Sequence, residues 1–555
     1  MGFLVSPGVD VNEVDLTNVI PAISTSIGGI VGNFAWGPVE ELISVGSEKE
    51  LASNFSKPDN NTYKQWFQAA AYLKYSNSLY VWRYVENDAR NANYGGESTL
   101  TIKNSNDFEA NFSNVDFDLS SPSAGDNHFA AKYPGALGNS LKVHAITSAN
   151  WGSTASTITN LFNAAPSGTE IHIAVIDEDG LLSGVANSVL ETYADVDTTS
   201  GALKDDGTNN FYVDVINVQS PYLWVSGTDL INSGTATEIS ASFTGGSDGS
   251  SSTSIQLASQ YSDAFGDPET LDINILVAPA EDGDVSPFGG TADAVIAVAE
   301  SRKDCIAITA PPITGTGGTA LQSTTDTAVT NAKAWADTVT SSSYGVLTST
   351  ALYVYDKYND KYRWIGSAGH VAGLCANVDY VAEPWFSPAG LNRGQLRGVV
   401  KLGYNPTQTD RDILYKARVN PIVSFPGQGI ILFGDKTAQS KASAFDRINV
   451  RRLFIILEKS ISTAAKYQLF EFNDEFTRAM FRNMTEPFLR DVKGRRGVTD
   501  FLVVCDETNN TGQVIDSNRF VADIYIKPSR SINFITLNFI ATRTGVEFSE
   551  IAGSQ

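Results

Sequence analysis

Three stretches in the middle of the chain constrain its architecture most. Asp272–Ala278 is a buried-strand run, Ala292–Arg302 has helical spacing, and Asp304–Ala310 is a second strand run ending at Pro311-Pro312. Strand, helix, strand at this spacing is a βαβ unit, which favours a parallel sheet. The same alternation opens the chain: Ile27–Phe34 is apolar and Gly-rich, Trp66–Tyr75 has helical spacing, and Leu79–Tyr84 is a compact aromatic strand. From about Asn91 to Ser252 the text changes. Ser, Thr, Asn, Gly and Asp dominate, and short apolar runs (Glu170–Ile176, Phe211–Val218, Tyr222–Val225) are separated by turn signals. That pattern predicts an all-β insertion, and its acidity and turn content place it toward solvent. Thr244–Thr253 reads as a flexible link back to α/β text.

The last section begins near Ser349. Leu352–Tyr358 and Tyr362–Ile365 resemble a hairpin around Asn359-Asp360, Ser367–Cys375 is helix-like, and Ser443–Gln468 is the longest helical pattern. Within it Val450, Leu453, Phe454, Leu457, Ile461, Ala464 and Ala465 fall on one stripe. Asn473 is the expected N-cap of a following helix, with Asp474 and Glu475 in the first turn. Pro487 is expected to break or bend that helix, and strands are expected at Phe501–Cys505, Phe520–Ile526 and Ile532–Ile540.

The two ends carry strand patterns without a local partner. At the N-terminus Val9, Val11 and Val14 sit among Asp10, Asn12 and Glu13. At the C-terminus the apolar set is Ile532, Phe534, Ile535, Leu537 and Phe539. A short terminal strand with no hairpin partner cannot hold itself, so both segments must pair with something distant in sequence or on another molecule.

Charge is polarised along the chain. The whole chain has 39 Lys and Arg against 62 Asp and Glu, yet residues 391–555 hold 23 against 17. Residues 1–390 therefore hold 16 against 45. A net charge of −23 argues against general nucleic-acid binding, which needs clustered Lys and Arg for phosphates. The basic concentration consists of Arg451-Arg452 and of Arg478, Arg482, Arg490, Lys493, Arg495 and Arg496. Two readings stand side by side: a solvated helix face with internal ion pairs such as Asp474 with Arg478, or a docking face for an acidic partner. Cys305, Cys375 and Cys505 are far apart, odd in number and flanked by apolar residues, as buried free thiols in a reducing compartment would be. No run approaches the roughly 18 apolar residues of a membrane span.

Catalytic patterns fail on context. Gly245-Gly-Ser247-Asp-Gly249 fits Gly-x-Ser-x-Gly, but a Ser-rich stretch follows where a nucleophile elbow needs a helix. His128, His144, His172 and His370 are scattered without metal-ligand spacing, Asp177-Glu-Asp-Gly180 lacks a calcium loop's alternating ligands, and no phosphate-binding loop is present. The expectation is a protein that is no enzyme and needs no cofactor or metal.

Several motifs in a fixed order carry a resemblance. They are Ser6-Pro-Gly-Val-Asp-Val-Asn-Glu-Val14; Gly32-Asn-Phe-Ala-Trp-Gly-Pro38; Ala131-Lys-Tyr-Pro-Gly-Ala-Leu-Gly-Asn-Ser-Leu-Lys142; Ala299-Glu-Ser-Arg-Lys-Asp-Cys305; Val419-Asn-Pro-Ile-Val-Ser-Phe-Pro-Gly-Gln-Gly429; and Asn449-Val-Arg-Arg-Leu-Phe-Ile-Ile-Leu-Glu-Lys-Ser460. Phe470-Glu-Phe-Asn-Asp-Glu475 and Cys505-Asp-Glu-Thr-Asn-Asn510 follow. Together they resemble the contractile tail sheath proteins of tailed bacteriophages; residues from about Trp151 to Phe243 align with nothing. The resemblance implies an α+β multidomain chain: an inner α/β domain built from both chain ends, a middle α/β domain with the βαβ unit, and an outward all-β insertion. The expected division is an arm at 1–20, the middle domain at 21–95 and 253–348, the insertion at 96–252, the inner domain at 349–530, and a C-terminal strand and arm at 531–555.

The resemblance also implies a structural subunit that polymerises as stacked hexameric rings around a tail tube and contracts to drive the tube through the host envelope. The alternative is the sheath of a contractile bacteriocin or another phage-derived injection machine. The implied partners are further copies of the chain, the tail tube protein, and the baseplate and tail terminator proteins, with neither nucleic acid nor membrane insertion. By the same resemblance, assembly would take place in the host bacterial cytoplasm. The arms would exchange between subunits, and Arg478, Arg482, Arg490, Lys493, Arg495 and Arg496 would face the tube.

Overall fold

The computed structural model describes residues 25–94, 99–113, 117, 129–226, 231, 234, 239–249, 254–278, 289–313, 325–533 and 535–536. Its centre is a seven-stranded sheet. We label its strands β1 (Gly28–Gly32), β2 (Leu42–Val45), β3 (Leu79–Arg83), β4 (Ile275–Val277), β5 (Ile306–Thr309), β6 (Gly345–Thr348) and β7 (Val419–Asn420). The order across the sheet is β7-β6-β5-β4-β1-β3-β2, with every pairing parallel except that of the edge strand β2 with β3. The expected βαβ unit is β4, helix Gly289–Arg302 and β5.

Both sheet faces are covered, as parallel sheets require. A Cβ on Gly28 would meet the ring of Tyr72 at 2.6 Å, and one on Gly29 would meet Phe265 at 2.9 Å on the opposite side. These rings belong to helices Tyr63–Leu73 and Ser254–Phe265, so the glycines let a helix press against each face. Beside Tyr63–Leu73 lies helix Ala368–Val381, where a Cβ on Gly369 would stand 2.2 Å from the Gln68 carbonyl oxygen.

Several expectations are corrected. The insertion is not all-β. A four-stranded antiparallel sheet (Ser188–Asp197, Glu170–Asp177, Leu141–Thr147, Ile239–Ser242, in spatial order) and the pair Phe129–Ala131 with Leu223–Val225 are joined by helix Tyr212–Gln219. Tyr212, Val213, Val215 and Ile216 are its buried side, a helical spacing that a nearly continuous apolar run disguises as a strand. The link after Phe243 is tied down in its first part: Thr244 and Ser247 bridge to Asn93 and Arg90. The central sheet does not stop at residue 348, because β7 extends it.

In the C-terminal section, helix Glu475–Gly494 runs through Pro487. Pro487 is exposed, while Phe481, Met484, Leu489 and Val492 on both sides of it are buried, so packing outweighs the missing backbone bond. Its N-cap is Asp474, whose carboxylate accepts from the Thr477 N–H at 2.8 Å; Asn473 turns away. No strand forms among the described residues of Ile532–Ile540. The hairpin around Asn359-Asp360 pairs Leu352–Asp356 with Lys361–Ile365 as expected. All three cysteines are buried free thiols.

Candidate assembly surface

The C-terminal section has a core of its own. We label helix Ile448–Ala465 α1 and helix Glu475–Gly494 α2. Leu453, Leu457, Ile461 and Ala464 of α1 pack with Phe481, Met484, Leu489 and Val492 of α2, while Ile448 and Ile455 on another side of α1 join the core of the central sheet. α1 is therefore buried on two sides, which corrects the reading of Arg451-Arg452 as solvated or docking residues. Arg451 lies over the rings of Tyr344 and Phe445 and reaches Glu458 at 3.4 Å. Arg452 donates to both carboxylate oxygens of Asp379 (2.8 and 2.9 Å) and to the carbonyl of Cys375 (2.8 Å). Burial holds the Asp379 carboxyl above its ordinary pKa, against the opposing pull of Arg452.

Beyond α2 the chain forms a two-stranded antiparallel ribbon, Val498–Val504 with Asp523–Pro528. Phe501, Val503, Ile524 and Ile526 face the helices, whereas the cross-strand pair Leu502 and Tyr525 stands exposed on the opposite face. Within the described residues each strand has one neighbour, so each leaves a row of backbone donors and acceptors unpaired at its outer edge. The exposed pair was not singled out from sequence, although alternation puts Leu502 on the side opposite Phe501 and Val503.

The basic set divides. Arg478 is buried and donates to Asn473 Oδ1 at 2.9 Å, so it is withdrawn as a surface residue, and the suggested pairing with Asp474 gives way to the cap. Arg482 is half-buried. Arg490, Lys493, Arg495 and Arg496 are exposed together at the end of α2. Lys493 meets Asp500 at 3.1 Å, which holds the Asp500 carboxyl below its ordinary value, and Arg495 meets Glu383 and Asp491 at 3.1 and 3.0 Å. Arg490 and Arg496 make no ion pair within the described residues. Of the arm residues, Ile532 and Ile535 are exposed; Val9, Val11, Val14, Phe534, Leu537 and Phe539 lie outside the described residues.

Residues 257–438 match the phage tail sheath protein central domain, and residues 440–542 match the phage tail sheath C-terminal domain. The tail sheath protein of Vibrio phage KVP40 is 32% identical, with 99% of this chain and 100% of that protein covered. The chain belongs to the phage tail sheath family. The tail sheath protein of Enterobacteria phage T4 is 31% identical with 99% of both chains covered. As a tail sheath protein the chain is a component of the virion tail. Among solved structures, the sheath tail protein of Desulfitobacterium hafniense has a TM-score of 0.53 at 12% identity, covering 90% of this chain and 94% of its own. The sheath complex of an extracellular contractile injection system in its contracted state has a TM-score of 0.52 at 13% identity, covering 98% and 99%. At such identity these last two speak to the fold, which is the sheath fold. The two family models meet near residue 439, so the ribbon, α1 and α2 all fall within the C-terminal domain.

Proposed function

We propose that the chain polymerises through its C-terminal domain into stacked hexameric rings around a tail tube protein, bounded by baseplate and terminator proteins. Contraction of this lattice drives the tube through the host envelope for genome ejection. The domain built from the chain ends would lie innermost and the acidic insertion outermost, with assembly in the host cytoplasm. The observation that carries the reading is the ribbon Val498–Val504 with Asp523–Pro528. Within the described residues it has two open edges, and the chain has two terminal segments with strand patterns and no local partner. Backbone edges of this kind accept an added strand from another molecule, whose main-chain bonds supply affinity without demanding a particular side chain. Residues about 1–20 and 531–555 of neighbouring copies are the strands assigned to these edges.

Exchange of arms links every subunit to its neighbours while leaving the folded bodies free to move as near-rigid units, as contraction requires. Deleting residues 1–20 tests this. The truncated chain should remain a soluble folded monomer and form no tubes by negative-stain microscopy. Tube yield equal to that of the full chain would overturn the arm assignment.

A further inference from the structure

Two features at opposite ends of α2 match each other chemically. At its start, the turn from α1 presents Tyr467, Leu469, Phe470, Phe472 and Phe476, all exposed, with Phe470 fully so. Aromatic side chains carry about 150–250 Å² each, so the patch amounts to roughly 700 Å², near the ~800 Å² that one partner contributes to a standard interface. It exceeds the few hundred Å² of apolar surface that a monomer ordinarily tolerates. The patch is held in shape: Asn473 Nδ2 donates to the Arg519 carbonyl at 2.8 Å and to Asn510 Oδ1 at 3.2 Å, while Asp474 caps α2. Glu471, Asp474 and Glu475 stand exposed among these rings.

Near the other end of α2 lies a cleft of about 840 Å³, between the Trp385–Arg393 loop, helix Gln408–Lys416 and the stretch Ser529–Asn533. Arg393, Arg411, Arg496 and Arg530 line it, and none of them is in an ion pair within the described residues. Arg393 lies 5.2 Å and Arg496 6.0 Å from the Phe386 ring centre, and Arg411 lies 5.7 Å from that of Phe433. Of the two cleft carboxylates, Asp435 is already bound to Arg447 at 3.1 Å. The cleft thus offers aromatic surface and excess positive charge, the complement of an aromatic and acidic knob.

We propose that the knob of one copy, centred on Phe470, Glu471 and Phe472, seats in the arginine-lined cleft of the next. A copy cannot fill its own cleft this way, because the 20 residues of α2 separate the two sites by about 30 Å. The contact therefore joins two copies through different surfaces. Made in one direction it is head-to-tail and repeats into rings or helical filaments, whereas made reciprocally it would close as a twofold dimer; the polymer proposed above requires the first. This inference rests on the proposed self-assembly and adds a side-chain contact distinct from the exchanged arms.

The test compares full-length wild type with two variants, Phe470→Asp/Phe472→Asp and Arg393→Glu/Arg411→Glu. Each should melt as wild type does yet lose at least tenfold in tube yield. Mixing a Phe470→Cys chain with an Asn392→Cys chain should give disulfide-linked dimers, and ladders when one chain carries both changes, since the three native cysteines are buried. Normal tube yield from both charge and aromatic variants, or tubes without cross-linking, would overturn the contact. Variants that polymerise alone but fail to coat tail tubes would overturn it too, by assigning the knob to the tube protein. Failure of wild type itself to polymerise would strike the assembly reading, and this inference with it.

Discussion

Arg452 Nη2 lies 2.8 and 2.9 Å from the two carboxylate oxygens of Asp379, and both side chains are 5% exposed. The same guanidinium reaches the carbonyls of Cys375 and, at 3.4 Å, of Thr25. One side chain on α1 thus fastens the C-terminal domain to helix Ala368–Val381 and to Thr25, just ahead of β1. Removing one member of a buried pair leaves the other charge uncompensated. Arg452→Met or Asp379→Asn should cost about 3–5 kcal/mol by urea denaturation. Arg452→Met with Asp379→Leu should recover at least half of that, because neither charge then remains.

How much of this was legible in the sequence depends on where each signal is stored. The βαβ unit was legible because its apolar runs are short and bounded, by Pro311-Pro312 at the end. The stripe Leu453, Leu457, Ile461 on α1 was legible as one buried side, but not that Ile448 and Ile455 bury a second. A helix enclosed twice has little solvated face left for its arginines, so Arg451 and Arg452 had to be buried with partners. The partner of Arg452 is 73 positions away, and no local pattern encodes such a distance. Helix Tyr212–Gln219 is disguised because the run Phe211–Val218, polar only at Asp214 and Asn217, suits both periodicities. The exposed end of α2 was readable from charge density alone, but Arg478 was not separable from its neighbours without the Asn473 contact.

Arg83 joins the insertion to the sheet. Its guanidinium is buried and donates to the carbonyls of Phe34, Gly37 and Pro134 at 2.8, 2.6 and 2.6 Å. A lysine has no planar fork with which to span the three carbonyls, so Arg83→Lys strands two of them away from water. At about 1–3 kcal/mol for each unsatisfied buried group, the expected loss is roughly 2–6 kcal/mol. Thermal denaturation should register the loss, and limited proteolysis should cut the insertion faster than in wild type.

His370 gives the fold a defined weakness to acid. It is buried between helices, with Tyr75 Oη 3.2 Å from its Nδ1, and burial, then the charge of Lys74, hold its pKa well below the ordinary 6.5. The unfolded chain takes up a proton below pH 6.5 that the folded chain refuses. Stability from this group is therefore complete above pH 6.5 and declines as pH falls beneath it, by up to ~1.4 kcal/mol per unit. His370→Gln removes the titration while keeping a polar partner for Tyr75. Urea midpoints measured between pH 7 and pH 5 should fall less steeply in the variant. Equal slopes would remove His370 from the acid response.

Arg490 and Lys493 near the end of α2, apart from Arg496 in the cleft, are the residues we assign to the tube. Arg490 is without an ion pair within the described residues, and Lys493 has only the solvent-exposed Asp500. Reversing both charges should leave the fold intact, since an exposed pair contributes about 0.2–1 kcal/mol. Against acidic groups on a tube the same small terms recur around every ring. Two contacts per subunit amount to roughly 2–12 kcal/mol per hexameric ring, enough to decide whether a ring stays on the tube. Arg490→Glu/Lys493→Glu should therefore melt like wild type but coat tail tubes at least tenfold less in low salt. The wild-type advantage should shrink as salt screens the contacts over about 8 Å at physiological strength. Unchanged coating at low salt would mean that this basic face meets something other than the tube.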